Sequence, residues 1–127
     1  MNTKPISAII VEDDEAFRLL LKTLLESKGV SIVGEADNGQ DGVNLYKQTL
    51  PDVVFMDIRM PVMDGITALR EIRGIDSGAT VIILTTLNDH LVKPDCEQSG
   101  AKDFVQKDMP PDIFGMRLDS ILKNISP

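Results

Sequence analysis

Val53-Val54-Phe55-Met56-Asp57-Ile58-Arg59-Met60-Pro61-Val62-Met63-Asp64-Gly65 is the stretch that decides the fold. Val53 to Met56 is wholly apolar, so it reads as a strand buried on both faces. Strands of that kind belong to parallel sheets covered by helices. This one delivers a single carboxylate, Asp57, to its C-terminal end. In open α/β sheets that edge is where ligands bind. Pro61 and Gly65 then impose a loop before a helical pattern resumes.

Strand-like and helix-like patterns alternate on either side of this stretch. Ile6 to Val11 predicts a first strand, and Phe17, Leu20, Leu21, Leu24 and Leu25 predict a helix over about 14–28. Gly29 suits the end of that helix. Ser31 to Ala36 predicts a second strand, and Asp37-Asn38-Gly39 a turn. Val43, Tyr46 and Leu50 mark a second helix, which Pro51 stops. Ile66, Leu69 and Ile72 mark a third, closed by Gly74. Thr80 to Thr85 predicts the fourth strand and Asp103 to Gln106 a weak fifth. Phe114, Leu118, Ile121, Leu122 and Ile125 define a final helix. The slot for a fourth helix, 89–99, carries Pro94 in its middle. A proline inside a helix costs roughly 3 kcal/mol, so this helix is expected to start late, kink or be partly irregular. The order is (βα)₅ in one domain spanning 1–127, a doubly wound α/β architecture with a parallel sheet between two layers of helices.

The 127 residues can bury a sizeable core, and 43% hydrophobic with 26% charged residues is ordinary globular composition. The formal charge of −7 and scattered Lys and Arg argue against direct nucleic-acid binding by this domain. Cys96 is the only cysteine, so an intramolecular disulfide is excluded and a reducing compartment fits. Met1 to Ser7 lacks the apolar core of a signal peptide, and no apolar run reaches the length of a membrane span. A cytoplasmic protein without membrane contact is the expectation.

Strand polarity brings four distant segments to one sheet edge. Glu12-Asp13-Asp14 follows the first strand, Asp57 ends the third, Thr85 ends the fourth and Lys107 follows the fifth. Each has a plainer role when taken alone. Asp13 or Asp14 can cap a helix, Asp57 can serve a turn, Thr85 is a β-former and Lys107 a solvated lysine. Together they fit one reaction. Clustered carboxylates repel unless a cation lies between them, and hard oxygen ligands favour Mg²⁺, which joins one or two carboxylates to a phosphate. A lone Asp can be a nucleophile that becomes an aspartyl phosphate. A metal and a lysine neutralise phosphoryl oxygens in the transition state. A threonine hydroxyl can hydrogen-bond the phosphoryl group once it has arrived.

Ile9-Ile10-Val11-Glu12-Asp13-Asp14, Met56-Asp57-Ile58-Arg59-Met60-Pro61-Val62-Met63-Asp64-Gly65, Leu84-Thr85-Thr86 and Phe104-Val105-Gln106-Lys107 resemble the four signatures of two-component response-regulator receiver domains. The resemblance covers nearly the whole chain. It implies a flavodoxin-like sheet of strand order 2-1-3-4-5 and a phosphoryl group accepted on Asp57 from a histidine kinase or phosphotransfer protein. It further implies that Asp13, Asp57 and the Arg59 backbone carbonyl ligate Mg²⁺ directly, with Glu12 acting through a water and Asp14 the alternative member of the acidic pair. By the same resemblance Thr85 would be the switch hydroxyl, Phe104 the aromatic that moves with it, and Lys107 the phosphate-binding lysine. Such a domain is a phosphoacceptor that assists its own phosphoryl transfer and dephosphorylation, not an enzyme turning over small substrates. Partner contacts and homodimers are expected on the face of the fourth helix, fifth strand and fifth helix.

Lys107-Asp108 and Asp57-Ile58-Arg59-Met60-Pro61 are similar to receivers joined to LuxR-type helix-turn-helix outputs, so a receiver portion of a longer regulator is expected over a single-domain one. Arg59 and Leu87 flank the phosphate in this family. His90, the only histidine, is expected on a solvent-facing helix position rather than in a relay. A haloacid-dehalogenase-like phosphatase is disfavoured because Arg59 occupies the place of its general acid. A flavin-binding flavodoxin is disfavoured because Glu12-Asp13-Asp14 would repel a phosphate without a metal. A receiver that binds partners without phosphorylation is disfavoured because every phosphorylation residue is present.

Overall fold

A computed structural model describes residues 4–125. Five parallel strands, β1 (Ser7–Val11), β2 (Ser31–Ala36), β3 (Val53–Asp57), β4 (Val81–Thr85) and β5 (Asp103–Gln106), form one sheet in the order β2-β1-β3-β4-β5. The helices are α1 (Glu15–Ser27), α2 (Gly39–Thr49), α3 (Gly65–Ile75), α4 (Lys93–Gln98) and α5 (Pro111–Leu122). The expected flavodoxin-like topology is thus present.

Alternation along the central strands divides the core into two layers. Ile10, Phe55 and Ile82 face one way and pack with Leu21 and Leu25 of α1 and Phe114 of α5. Ile9, Met56 and Ile83 face the other way, against Tyr46 of α2, Leu69 of α3 and Cys96 of α4. All of β3 is buried because both faces are covered. Phe55 and Phe114 are the largest fully buried side chains, each contributing about 1.5–3 kcal/mol by leaving water. Edge strand β2 alternates between exposed and half-buried positions, which accounts for its less apolar sequence.

Helix ends follow local chemistry. Asp14 caps α1 by accepting from the Ala16 and Phe17 amides at 3.0 and 3.2 Å. At the other end Gly29 has φ +84°, and its N–H donates to Glu26 while that of Val30 donates to Leu25. That pair of bonds, with Leu25 and Val30 both buried, is a Schellman stop that favours glycine at this position. Leu50 does not belong to the apolar stripe of α2. It is an exposed C-cap residue with φ 45°, outside the helix that ends at Thr49. Gly74 does not close α3 either: the helix runs through it to Ile75 and ends at Asp76. Glycine costs about 1 kcal/mol in a helix, too little to stop one whose apolar face is packed.

The region of Pro94 behaves as expected. A one-turn 3₁₀ helix (Leu87–Asp89) follows β4, and α4 begins late, at Lys93. Pro94 falls in the first turn, where its missing N–H leaves no helical bond unmade. The final helix ends at Leu122, short of Ile125, which still packs against the core. Among the described residues no helix is long and apolar enough to cross a membrane.

Candidate functional site

Register sets the site. Asp57 pairs with Leu84, and Thr85 with Gln106, so β3, β4 and β5 end in steps along one edge. The Glu12 amide donates to Ala36 at 2.9 Å and the Lys107 amide to Thr85 at 2.6 Å, which ties the segments after β1 and β5 to their neighbours. Glu12, Asp13, Asp57, Thr85 and Lys107 therefore all stand at this edge.

Glu12, Asp13 and Asp57 bring carboxylate oxygens within 4.8 Å of one another. Glu12 is fully buried and Asp57 is 7% exposed. Asp14 points away to cap α1, which settles which acid follows Glu12 into the cluster. The Asp57 Oδ1 accepts from the Ile58 amide at 2.9 Å. Burial, then the negative charge of Glu12, push the Asp57 carboxyl up to about 8, and Lys107 only partly offsets them.

Lys107 is the one cation inside this group among the described residues. Its Nζ lies 2.6 Å from Glu12 Oε1 and 3.7 Å from Asp57 Oδ1, and 4.8 Å over the Phe17 ring. Burial pulls its pKa down, but the Glu12 contact and the Asp57 charge outweigh this and the net shift is upward. The contact with Glu12 has the distance of an ion pair without the angle of a hydrogen bond. Glu12 Oε1 is thereby a buried carboxylate oxygen with no hydrogen-bond donor among the described residues. One lysine facing three carboxylates, one of them with an unserved buried oxygen, leaves the cluster short of positive charge. Hard oxygens in this arrangement suit a small divalent cation with its waters.

The Thr85 hydroxyl donates to the Val105 carbonyl at 3.4 Å, a long bond that is readily exchanged for a better acceptor. Phe104, one strand over, is half-buried against the α4 side of the core, with Lys93 Nζ 4.8 Å above its ring. His90 is exposed as expected, but it lies in the turn between the 3₁₀ helix and α4 rather than on a helix.

Two participants were not apparent from the sequence. Arg18 on α1 donates to the Glu12 carbonyl at 2.7 Å and pairs with Glu35 at 3.3 Å, fixing the segment that carries the acids. Asp89 is buried at 3% exposure and bonds both Thr86 and Arg59. A helical spacing could have placed Arg18 near Glu12, but nothing local links Arg59 with a residue 30 positions later. A cleft of about 600 Å³ beside β2 and α2 includes none of Glu12, Asp13 and Asp57 in its lining, and its Arg18 and Glu35 are already paired.

A doubly wound sheet thus brings an acid cluster able to hold a metal, a lysine and a hydroxyl together at adjoining strand ends. Residues 8–118 match the family model of the response regulator receiver domain, and the chain belongs to that family. It is 46% identical over 100 residues to the chemotaxis protein CheY of Bacillus subtilis, covering 78% of this chain and 83% of the relative. The fold is similar to a LuxR-family two-component response regulator from Aurantimonas sp. SI85-9A1, with TM-score 0.85, 28% identity, and 97% and 89% of the two chains covered. It is also similar to the receiver domain of sensor histidine kinase PA1611 from Pseudomonas aeruginosa PAO1, which holds a magnesium ion in its active site cleft (TM-score 0.81, 27% identity, 94% and 96% covered).

Proposed function

We propose that Asp57 is the phosphoacceptor of this receiver domain. The observation that carries this is the meeting of Glu12, Asp13 and Asp57 with Lys107 at one sheet edge, beside Thr85. In the reaction an Asp57 oxygen attacks the phosphorus of a phosphohistidine on a histidine kinase or phosphotransfer protein. The P–N bond breaks, the imidazole leaves and takes up a proton from solvent, and an acyl phosphate forms on Asp57. Lys107 transfers its contact from Glu12 to a phosphoryl oxygen. Asp13, Asp57 and the Arg59 carbonyl would hold Mg²⁺, with Glu12 acting through water. Bound there, such a cation would supply positive charge against the phosphoryl oxygens as negative charge develops on them.

Switching follows from the same edge. Phosphorylation adds roughly two negative charges and three acceptor oxygens. The Thr85 hydroxyl exchanges its long bond to Val105 for a phosphoryl oxygen, and Phe104 follows inward. The face of α4, β5 and α5 then changes for a partner, a second copy or an output domain. DNA is reached only through such an output domain, and the signal is received in the cytoplasm. The domain assists its own phosphorylation and dephosphorylation, and residues 1–127 act as one unit.

Acetyl phosphate with Mg²⁺ tests this directly. Intact mass is expected to show one added phosphoryl group on the wild type and none on Asp57→Asn. Equal labelling of the variant overturns the assignment.

A further inference from the structure

We propose that the Arg59–Asp89 ion pair is a latch between the loop that carries Asp57 and the turn that follows Thr85, and that a phosphoryl group on Asp57 opens it by drawing Arg59 away. This rests on Asp57 being the phosphoacceptor.

Asp89 is a buried carboxylate with both oxygens committed. Its Oδ2 accepts from the Thr86 amide at 2.7 Å and from the Thr86 hydroxyl at 3.1 Å. Its Oδ1 pairs with Arg59 Nη1. Thr86 in turn receives the Asn88 amide on its hydroxyl and the Asp89 amide on its carbonyl. The turn is thus closed upon Asp89, and Arg59 is the only cation within ion-pair distance of that acid among the described residues. A buried carboxylate that loses its cation is strongly disfavoured unless the structure around it opens.

Arg59 is the movable half. Its side chain is 64% exposed, and Asp89 is its only ion-pair partner among the described residues. It stands two residues after Asp57. An acyl phosphate there presents about two negative charges against the single charge of Asp89, and a guanidinium binds phosphate oxygens in bidentate fashion. The latch also reaches the switch from its other end, because Thr86 adjoins Thr85. Phosphorylation therefore acts on this turn twice, through the Thr85 hydroxyl and through loss of the charge that holds Asp89. Arg59 and Asp89 are positioning residues in this scheme: Asp89 withholds the guanidinium from the acceptor until an anion competes for it.

Amide hydrogen exchange and beryllofluoride, a tetrahedral phosphoryl mimic, test the latch on the whole chain. Arg59→Gln without metal or anion is expected to speed exchange of the Thr86 and Asp89 amides about fivefold or more while β1 and β3 stay protected. Beryllofluoride with Mg²⁺ is expected to produce the same rise in the wild type and no further rise in Arg59→Gln. Asp89→Asn, which keeps the side-chain shape, is expected to tighten beryllofluoride binding about threefold or more by freeing Arg59, and the gain is expected to vanish in the double variant. Unchanged Thr86 exchange in Arg59→Gln overturns the latch. So does beryllofluoride that binds and shifts the Asp57 loop while leaving Thr86 exchange and the Asp89→Asn affinity unchanged. Beryllofluoride that fails to bind at all overturns the phosphoacceptor assignment and the opening step with it, while the resting-state exchange of Arg59→Gln still reports the latch by itself.

Discussion

The backbone of Gly65 passes so close to Asp57 that a Cβ on Gly65 would overlap the Asp57 carbonyl oxygen. The Gly65 amide donates to the Ile58 carbonyl at 2.7 Å, so the start of α3 is fastened to the end of β3 without a side chain between them. Gly65→Ala is expected to lower stability by about 1–3 kcal/mol, because only backbone can give way. It is also expected to slow phosphorylation by displacing Asp57. Urea denaturation and acetyl phosphate labelling read the two effects, and a variant with wild-type stability would contradict the close approach.

The acid cluster predicts a metal-dependent stability. Mg²⁺ at ten times its Kd is expected to add about 1.4 kcal/mol to the unfolding free energy, through preferential binding to the folded chain. Asp13→Asn is expected to abolish most of that gain. Because Asp13 is exposed while Glu12 and Asp57 are buried, the substitution leaves the core intact. Thermal melts with Mg²⁺ and with EDTA make the comparison; an equal shift in both proteins would place the metal elsewhere.

Tyr46 donates its hydroxyl to Asp76 at 2.9 Å, joining α2 to the end of α3. Burial first, then the bond to Asp76, push its pKa up to about 12. An unfolded tyrosine ionises near 10. Between these values the unfolded chain has lost a proton that the folded chain keeps. Stability from this group is therefore complete below about pH 10 and is lost as pH rises through about 12. The chain has one Tyr and no Trp, so the ultraviolet titration is clean. The tyrosinate midpoint is expected near 12 in buffer and near 10 in urea; coincident midpoints would show the hydroxyl to be free. Tyr46→Phe is expected to cost about 1 kcal/mol for the lost hydrogen bond.

Val62 has φ 68° and is exposed, and the Met63 amide closes a three-residue turn onto the Pro61 carbonyl at 2.7 Å. A β-branched residue at the centre of such a turn is strained, by roughly 1–2 kcal/mol, whereas glycine adopts it freely. Val62→Gly is expected to raise stability by about 0.5–1 kcal/mol. Chemical denaturation decides the matter, and a variant less stable than wild type would mean that Val62 makes a contact worth more than the strain.

Alternating patterns make the sheet legible in the sequence. The bounds of Ser31 to Ala36 and Asp103 to Gln106 agree with the structure to the residue, since turn-forming or charged neighbours flank both. Pro94 carried its own rule and the helix obeyed it. Gly74 does not stop α3 because propensity at one position yields to the packing of a whole face, while Leu50 keeps the helical spacing of Val43 and Tyr46 but falls past the helix end, in a left-handed cap that turns it to solvent. Strand polarity places Glu12, Asp13, Asp57, Thr85 and Lys107 at one sheet edge, and the structure has them there, whereas the roles of Arg59 and Phe104 rest on the resemblance. Asp14 was resolved from Asp13 only by its hydrogen bonds to Ala16 and Phe17. Arg18 and Asp89 escaped because their roles depend on partners brought near by folding rather than by chain position.

Cys96 lies fully buried on the short helix whose first turn holds Pro94, and it is the only cysteine in the chain. Burial also pushes its thiol pKa up, so the reactive thiolate is scarce while the helix is closed. A disulfide reagent can reach the sulfur only when α4 lifts from the sheet. Where reagent outpaces reclosing, the labelling rate counts those openings one by one, and the unmodified protein carries its own clock for the motion of the element next to the switch.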